Sequence, residues 1–348
     1  MKAFVSIENG QGAVREVEKP TPSEGEILVR VHYVGQNPTD WKGLPHKPPG
    51  RIIGCDFAGT VADANGSKWR EGQRVAGFVQ GGQAEPLSRG AFAEYLVTAA
   101  SFVWAVPDSV SLQSAATVSL AFATAMQAMF QRLGLPEPSK PATSAFPVLI
   151  NGGTSSVGLY AVQLAKLAGL FVIATGSRQN HDLLTSVGAD ATVDYKDPDW
   201  PGKVRALSHD NLRHAFDCVS EPDTVKSVAK ALSPTKGGHI LVILPRTQDD
   251  VPAGLSKVKV ESTVVHTVFG HPIDASGTGF QNWGGRTPED QKLWEKYLSL
   301  LPEYTESGKI KPNSYKELGG LDAIPEGFEL HKQNKVRAQK IVYKVLSD

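Results

Sequence analysis

The stretch Val148-Leu149-Ile150-Asn151-Gly152-Gly153-Thr154-Ser155-Ser156-Val157-Gly158 decides the fold. Its three leading apolar residues predict a buried strand, its paired glycines predict a tight turn, and the small residues after them predict the start of a helix. That helix continues with an apolar stripe that faces a core, at Val157, Ala161, Leu164, Ala165 and Ala168. A strand, a glycine turn and a helix in this order are typical of dinucleotide-binding folds.

The residue types in this turn indicate a phosphate site. Gly152 permits the tight turn, while Gly153 and the small side chains of Thr154-Ser155-Ser156 leave room for a pyrophosphate at the backbone N–H groups of the helix N-terminus. Gly158 permits close packing of the helix on the strand. Because the glycine spacing departs from G-x-G-x-x-G, the turn by itself also fits a strand-to-helix turn that binds nothing.

The region around this turn alternates short apolar strands with helical segments. Strands are predicted at 148–150, 171–175, 191–194, 215–219 and 239–244, and helices are predicted at 157–168 and 181–187. This alternation predicts an α/β fold with a doubly wound parallel sheet that is covered by helices on both faces.

The two ends of the chain differ from this region in composition and in predicted secondary structure. Residues before about 118 are rich in glycine and proline, and strands are predicted there at 27–34, 54–61, 72–79 and 91–97. An Ala-rich helix is predicted at 115–133. Near the other end, helices are predicted at 291–307 and 325–334, and a strand at 340–345.

Composition excludes several classes of protein. The 348 residues include 36 Lys+Arg and 36 Asp+Glu, and this zero formal charge argues against a nucleic-acid-binding protein. No apolar run reaches the length of roughly 18 residues that a membrane span needs, and Glu8 comes too early for a secretory signal. Since Cys55 and Cys218 are the only cysteines, a disulfide framework is excluded and a reducing, cytoplasmic location is expected.

The loop after the second strand of the alternating region indicates which dinucleotide binds. NAD enzymes place Asp or Glu here to bind the ribose 2′-hydroxyl, but this loop reads Ser177-Arg178-Gln179-Asn180 and has no acid. A hydroxyl and a guanidinium suit the 2′-phosphate of NADP, with a solvated surface arginine as the alternative. Tyr195, after the third strand, fits either a contact to the adenosine end or plain packing.

Four motifs together resemble the medium-chain dehydrogenase/reductase superfamily: 54–61 (GCDFAGTV), 72–75 (GQRV), 90–95 (GAFAEY) and 152–158 (GGTSSVG). The resemblance covers essentially the whole chain. It implies a GroES-like β-rich catalytic domain at residues 1–117, a Rossmann-like NADPH-binding domain at 118–270, and a return to the catalytic domain at 271–348.

The departures from the zinc alcohol dehydrogenases of this superfamily imply an enzyme without metal. Those enzymes have a Cys ligand after an early strand and Gly-His-Glu at the next glycine strand. This chain has Asn37-Pro38-Thr39-Asp40 and Gly54-Cys55-Asp56 at these places. A catalytic zinc needs three protein ligands, for which only the side chains of Cys55, Asp56 and Asp40 remain, and we expect no metal.

The chain thus resembles the zinc-free branch that includes quinone reductases and enoyl reductases. Within it, 37–42 (NPTDWK) and 335–342 (KVRAQKIV) resemble fungal trans-acting enoyl reductases, which partner polyketide synthases that lack a working reductase domain. The resemblance implies NADPH as cofactor and an α,β-unsaturated acyl thioester as substrate, presented by an acyl carrier domain of a synthase. It also implies a monomer.

The resemblance assigns site residues position by position. Cofactor contacts are implied for the nicotinamide end (Thr39, Asp40, Trp41, Lys42), the pyrophosphate turn (Gly152, Gly153, Thr154, Ser155, Ser156, Val157), the 2′-phosphate loop (Ser177, Arg178, Gln179, Asn180), Tyr195, Leu244, Pro245, Val336 and Arg337. Walls of a substrate channel are implied in the Ala-rich helix (Ser119, Phe122, Ala123) and in an apolar strand (Thr267, Val268, Phe269, Gly270). For both walls, core packing is the alternative.

Hydride transfer to the β-carbon of an activated alkene is the expected reaction, followed by protonation of the α-carbon. Lys42 is the candidate catalytic residue because its ammonium can stabilise enolate charge, although a surface lysine is the alternative. We expect Asp40 to orient Lys42, unless burial raises its pKa. The proton comes from water or from His266, for which a structural role is the alternative.

Two other functions remain open from the sequence. An NADPH quinone or alkenal reductase would share the fold and the cofactor but act on small free substrates. A non-catalytic NADPH-binding protein with a structural or regulatory role would share the fold alone, because a fold does not fix a function.

Overall fold

Apolar runs of the sequence become strands and helices in the computed structural model of the chain, which describes residues 1–83, 89–270 and 287–346. Within these residues the strands are β1 (Lys2–Ser6), β2 (Gly12–Glu16), β3 (Glu26–Gly35), β4 (Asp56–Asp63), β5 (Arg74–Phe78), β6 (Tyr95–Ala99), β7 (Val103–Ala105), β8 (Pro147–Asn151), β9 (Phe171–Gly176), β10 (Ala191–Asp194), β11 (His214–Asp217), β12 (Gly238–Val242), β13 (Val258–Ser262), β14 (Tyr315–Glu317) and β15 (Lys340–Lys344). The α-helices are α1 (Pro38–Lys42), α2 (Leu112–Ala115), α3 (Ser119–Met126), α4 (Ser156–Leu167), α5 (His181–Ser186), α6 (Trp200–Leu207), α7 (Pro222–Ala231), α8 (Thr287–Glu306) and α9 (Ile324–Lys332).

By its internal contacts the chain divides into two units, which are Met1–Leu120 with Glu295–Asp348, and Ala121–Trp294. We call them the split unit and the central unit. The predicted boundary at residue 270 adjoins residues 271–286, which lie outside the described part of the chain. The division into 1–117, 118–270 and 271–348 therefore stays a prediction.

The central unit is built on a parallel sheet, as the alternating pattern predicts. Among the described residues its strand order is β10-β9-β8-β11-β12-β13, and every neighbouring pair is parallel. The side chains of Val148, Leu149 and Ile150 on β8 are fully buried, as expected for a strand that is covered on both faces. The chain order reverses between β8 and β11, and ligands of such sheets bind at the carboxyl ends of the strands at this switch point. The predicted α/β, doubly wound fold is confirmed.

The split unit is a mostly antiparallel sheet, as its glycine-punctuated strands predict. Its described strand order is β14-β15-β3-β4-β5-β7, with β6 also paired to β3. The ring of Phe4 packs edge-on against Phe92 and Phe328, with ring centroids 6.4 and 5.9 Å apart. Strand β15, from the far end of the chain, pairs with β3 so that Val342 lies opposite Gly35. This β-rich unit agrees with the predicted GroES-like domain.

Several predicted elements differ from the structure. The single Ala-rich helix predicted at 115–133 is wrong, because α2 ends at Ala115, α3 begins at Ser119 and a π-helix follows at Gln127–Arg132. The strand predicted at 91–97 begins only at Tyr95, and the strand predicted at 239–244 ends at Val242. The apolar strand predicted at Thr267–Gly270 is wrong, because Val265–Phe269 is a 3-10 helix that ends at Gly270 in the left-handed conformation, with φ of 78°. An apolar run this short does not distinguish a strand from a helical turn.

A buried ion pair holds the π-helix of the central unit. The Arg132 guanidinium donates to both carboxylate oxygens of Asp290, with Nη1 2.7 Å from Oδ1. Gln127 Nε2 donates to the same carboxylate at 2.9 Å and to the hydroxyl of Thr267 at 2.7 Å. Both charged side chains are almost fully buried, at 4% and 0% exposure. Because a buried charge is stable only when it is paired, this network needs each of its members.

We predict that Arg132→Met destabilises the protein by about 3–5 kcal/mol, because the carboxylate of Asp290 would stay buried without its counter-ion. Urea unfolding of the variant and the wild type measures this difference. The control is Arg213→Met, since Arg213 is exposed and its loss should change stability by less than about 0.5 kcal/mol. Equal effects of the two substitutions would contradict the prediction.

Candidate functional site

The turn after β8 is shaped by hydrogen bonds to β9. The N–H of Gly152 donates to the Thr175 hydroxyl at 2.9 Å, and the N–H of Gly153 donates to the Thr175 carbonyl at 2.8 Å. Gly152 has φ of 72°, which a side chain would strain. A Cβ on Gly158 would lie 2.3 Å from the carbonyl oxygen of Gly152. Helix α4 therefore packs on this turn at a distance that only glycine allows.

The start of α4 fits a bound phosphate. Ser155 is the N-cap, and its hydroxyl accepts the N–H of Gly158 at 3.0 Å, so this side chain is used within the turn. The N–H groups of Thr154 and Val157 have no hydrogen-bond partner among the residues described, and both residues are partly exposed. Donors at a helix N-terminus suit an anion. The residues present therefore fit the pyrophosphate of a dinucleotide.

The sequence did not single out three polar side chains beside the turn, which belong to Asn151, Thr175 and Asp217. Asn151 Nδ2 donates to Asp217 Oδ1 at 2.8 Å, and the Thr175 hydroxyl donates to Asn151 Oδ1 at 2.6 Å. They lie at the ends of β8, β9 and β11, which are neighbours in the sheet. The sequence does carry one signal for these residues, because each of them stands near the end of an apolar strand. The carboxyl ends of neighbouring parallel strands meet at one edge of the sheet.

The predicted 2′-phosphate loop, residues 177–180, follows β9, and Tyr195 follows β10. Gly176 and Asp194 are opposite each other in the register, so the structure brings the residues that follow them, Ser177 and Tyr195, to the same edge of the sheet. The Ser177 hydroxyl accepts the side-chain amide of Asn180 at 3.1 Å. Arg178 and Gln179 are exposed, and Tyr195 is 51% exposed.

A cavity of about 790 Å³ opens beside this loop. Its lining includes Arg178, His181, Asp194 and Lys196. No ion pair of Arg178 is present within the described ranges. A guanidinium that is exposed and has no protein carboxylate to pair with suits a phosphate ligand.

Leu244 and Pro245 follow β12 at the same edge of the sheet. Both are partly buried, and the neighbouring Ile243 donates its N–H to the Ser220 hydroxyl at 2.9 Å. This places them at the carboxyl end of the strand next to β11, as the sequence predicts for a crevice residue.

The predicted nicotinamide-end residues form α1 in the split unit. Pro38 is at the first helical position and Asn37 is the N-cap, which explains the local helix. Thr39 and Lys42 are exposed, and Trp41 is partly buried. The Lys42 ammonium lies 5.7 Å from the centroid of the Trp41 ring, close enough for a cation–π contact.

The expected pairing of Asp40 with Lys42 is wrong. Asp40 is buried, and its Oδ2 accepts the N–H of Asn37 at 2.7 Å. Burial is the main cause that raises the pKa of this carboxyl to about 7, while the hydrogen bonds from Asn37 and Cys55 and the nearby Lys340 ammonium act in the opposite direction. The side chain turns inward because it caps its own helix, so it cannot orient an exposed lysine.

Val336 and Arg337 also lie in the split unit, before β15. Val336 packs on the unit's hydrophobic core, and Arg337 is exposed, with its Nε 3.4 Å from the Asn334 carbonyl. Their closing over a cofactor stays a prediction.

The predicted substrate-channel residues make the contacts of core residues. The Ser119 hydroxyl accepts the indole N–H of Trp104 at 3.1 Å. Phe122 packs edge-on against Tyr160 with centroids 5.8 Å apart, and Ala123 and Val268 are fully buried. Thr267 belongs to the Asp290 network, and Phe269 stacks on His266. The channel role stays a prediction for all of them, including Gly270.

The described residues hold neither a metal cluster nor a membrane-spanning helix. Among residues 1–83, 89–270 and 287–346, no group of three or more His, Cys, Asp or Glu side chains is arranged to hold a metal ion. The absence of a metal in the working enzyme stays a prediction. In the same ranges, every helix is too short or too polar to cross a membrane.

Known proteins resemble the chain along its whole length. Residues 23–108 match the family described as alcohol dehydrogenase GroES-like domain, and residues 156–278 match the family described as zinc-binding dehydrogenase. The trans-enoyl reductase ACTTS2 of Alternaria alternata is 36% identical over 99% of this chain and 98% of its own length. A zinc-type alcohol dehydrogenase-like protein of Schizosaccharomyces pombe is 35% identical over 99% of this chain and 100% of its own.

Solved structures support the same fold. The crystal structure of an alcohol dehydrogenase superfamily protein from Novosphingobium aromaticivorans aligns with a TM-score of 0.79 over 99% of this chain and 100% of its own, at 22% identity. The two matching families, the full-length relatives and the two sheets lead to one assignment. The chain belongs to the medium-chain dehydrogenase/reductase superfamily of oxidoreductases.

Proposed function

We propose that this protein is an NADPH-dependent enoyl reductase that saturates the C=C bond of an α,β-unsaturated polyketide acyl thioester, in trans to a polyketide synthase whose acyl carrier domain presents the substrate. The observation that carries the proposal is the end-to-end similarity to a trans-enoyl reductase at 36% identity. The site residues support it, because the turn after β8 and the acid-free loop after β9 suit a phosphorylated dinucleotide. The protein acts as a monomer without metal.

The chain's own residues bind and orient the reactants. The N–H groups of Thr154 and Val157 hold the pyrophosphate, and Ser177 and Arg178 hold the 2′-phosphate. When bound, NADPH supplies the hydride that the β-carbon of the thioester accepts. Thr39, Trp41 and Lys42 on α1 contact the nicotinamide end, and the Lys42 ammonium stabilises the negative charge that develops on the thioester oxygen. A proton from water then completes the reduction at the α-carbon.

The first test is anaerobic NADPH oxidation with a panel of unsaturated acyl thioesters and a panel of quinones and free alkenals. We expect turnover with thioesters and little with the free substrates. The reverse preference would replace the proposal with a quinone or alkenal reductase. NADPH binding without turnover on either panel would leave a non-catalytic nucleotide-binding protein.

We predict that Arg178→Ala weakens NADPH binding roughly tenfold, because the variant loses a charge-assisted hydrogen bond to the 2′-phosphate. Binding of NADH, which lacks this phosphate, should not change. Titration calorimetry with both dinucleotides measures the difference. The control is Arg213→Ala, an exposed arginine of the same unit, which should bind both dinucleotides as the wild type does. An equal loss for NADPH and NADH in Arg178→Ala would contradict the role of Arg178.

We predict that Lys42→Ala lowers kcat with the thioester about a hundredfold, because the variant loses stabilisation of the developing charge. Steady-state kinetics at saturating NADPH measures it. Lys68 is a matched control, since it is also exposed and its ammonium lies 5.2 Å from the centroid of the adjacent Trp69 ring. Lys68→Ala should keep the wild-type kcat, and undiminished turnover of Lys42→Ala would remove Lys42 from the mechanism.

A further inference from the structure

Two carboxyl groups and one ammonium group are buried together beneath α1. Asp40, Asp56 and Lys340 are 4%, 0% and 1% exposed. If both acids were ionised, this cluster would hold one uncompensated negative charge away from water, which is strongly unfavourable. The cluster is therefore more stable when one of the two carboxyl groups is protonated, and the contacts of each group indicate which one.

Lys340 forms its ion pair with Asp56. Its ammonium donates to Asp56 Oδ2 and, at 2.9 Å, to the side-chain oxygen of Asn37. Asp56 also accepts the side-chain amide of Asn37 at 2.9 Å and the N–H of Leu120 at 2.7 Å. A carboxylate with an ion pair and two further donors is stabilised in its charged form. The Lys340 charge is therefore paired with Asp56.

Asp40 has much weaker support for a charge. Its Oδ2 accepts one N–H, from Asn37, whereas its Oδ1 has no hydrogen-bond partner in the described part of the chain. The buried thiol of Cys55 also donates a hydrogen bond to this carboxyl, and a thiol is a weak donor. The charge of Asp56 repels a second negative charge. Burial and this repulsion raise the pKa of Asp40 to about 7, against the opposing effects of the hydrogen bonds from Asn37 and Cys55 and of the Lys340 charge.

We propose that Asp40 is a positioning residue that holds α1 in its working form only while it carries a proton. The inference rests on the proposed function, because α1 presents Thr39, Trp41 and Lys42 to the reactants. The neutral acid caps α1 through Oδ2 without adding charge to the cluster. The ionised form competes with Asp56 for the Lys340 ammonium, and the ion pair that links β15 to β4 across β3 loosens beneath the helix.

Burial moves the pKa values of three neighbouring groups away from neutral pH. Burial raises the pKa values of the Cys55 thiol and the Tyr343 hydroxyl, so both stay neutral at neutral pH. Burial, with the Lys340 charge, lowers the pKa of His331 to about 4. On the helix itself, the Lys42 ammonium lies over Trp41. Burial also lowers the pKa of Lys47, which interacts with Cys55. We assign the change of charge near neutral pH to Asp40.

The activity test compares kcat/KM for the thioester at pH 6 and pH 8.5 in the wild type, in Asp40→Asn and in Asp322→Asn. With a pKa of about 7, the protonated fraction of Asp40 falls roughly thirtyfold between these pH values. We expect the wild type and Asp322→Asn, whose substituted carboxyl is exposed, to lose activity by at least about tenfold. In Asp40→Asn, whose amide cannot ionise, this loss should disappear. Its persistence would overturn the proposal.

A second test does not depend on activity. Because the pKa of Asp40 is about 7 in the folded protein and 3.8 for an unperturbed carboxyl, the unfolded chain releases this proton first as pH rises. Folding stability therefore falls across this interval. The thermal midpoint of Asp40→Asn minus that of the wild type should rise between pH 4 and pH 7 and level off above. A difference that is constant with pH would overturn the proposal.

Infrared spectroscopy of the wild type measures the protonation of buried carboxyl groups directly, so this test does not depend on a variant that folds. A protonated-carboxyl C=O band should be present at pH 6 and absent at pH 8.5, and its absence at pH 6 would also overturn the proposal. If the wild type shows no thioester reduction at all, the proposed function fails, whereas the stability and infrared measurements still decide whether Asp40 holds its proton.

Discussion

A hydrogen-bonded junction at the carboxyl ends of three parallel strands fixes the geometry of the candidate cofactor site. The Asn151 side chain accepts from Thr175 on one neighbouring strand and donates to Asp217 on the other. Gly152 donates its N–H to the same Thr175 hydroxyl, so the glycine turn is tied to the sheet. The shape of the turn is thus set by the rigid sheet beneath it, which presents its donors already oriented toward an anion.

The split unit uses one buried carboxylate in a comparable way. Asp56 accepts hydrogen bonds from Asn37, Lys340 and Leu120, so segments that are far apart in the chain meet at a single charged group. In a medium of low polarity such bonds are strong when all are made and unfavourable when one is missing. Asp40 lies beside this group, and we propose that its charge state changes near neutral pH.

Sequence patterns predicted what is local and missed what is distant. The parallel strands follow from apolar runs such as 148–150, and α4 follows from its stripe. Helices α6 and α7 were missed because Pro201, Gly202 and Pro222 look like loop residues, although proline is well suited to the first turn of a helix. The glycine turn and the acid-free loop are contiguous and could be found. The ion pair of Lys340 with Asp56 spans 284 positions, and a single sequence carries no signal for it.

The insertion of β15 beside β3 has a consequence for how the chain is made. Residues 340–344 leave the ribosome only after the whole central unit. Until then, the backbone groups of β3 that pair with β15 have no strand to bind. Unpaired strand edges favour association between chains during synthesis. The central unit is continuous in sequence and is free to fold first. Biogenesis should therefore be most sensitive to chaperone supply during this interval.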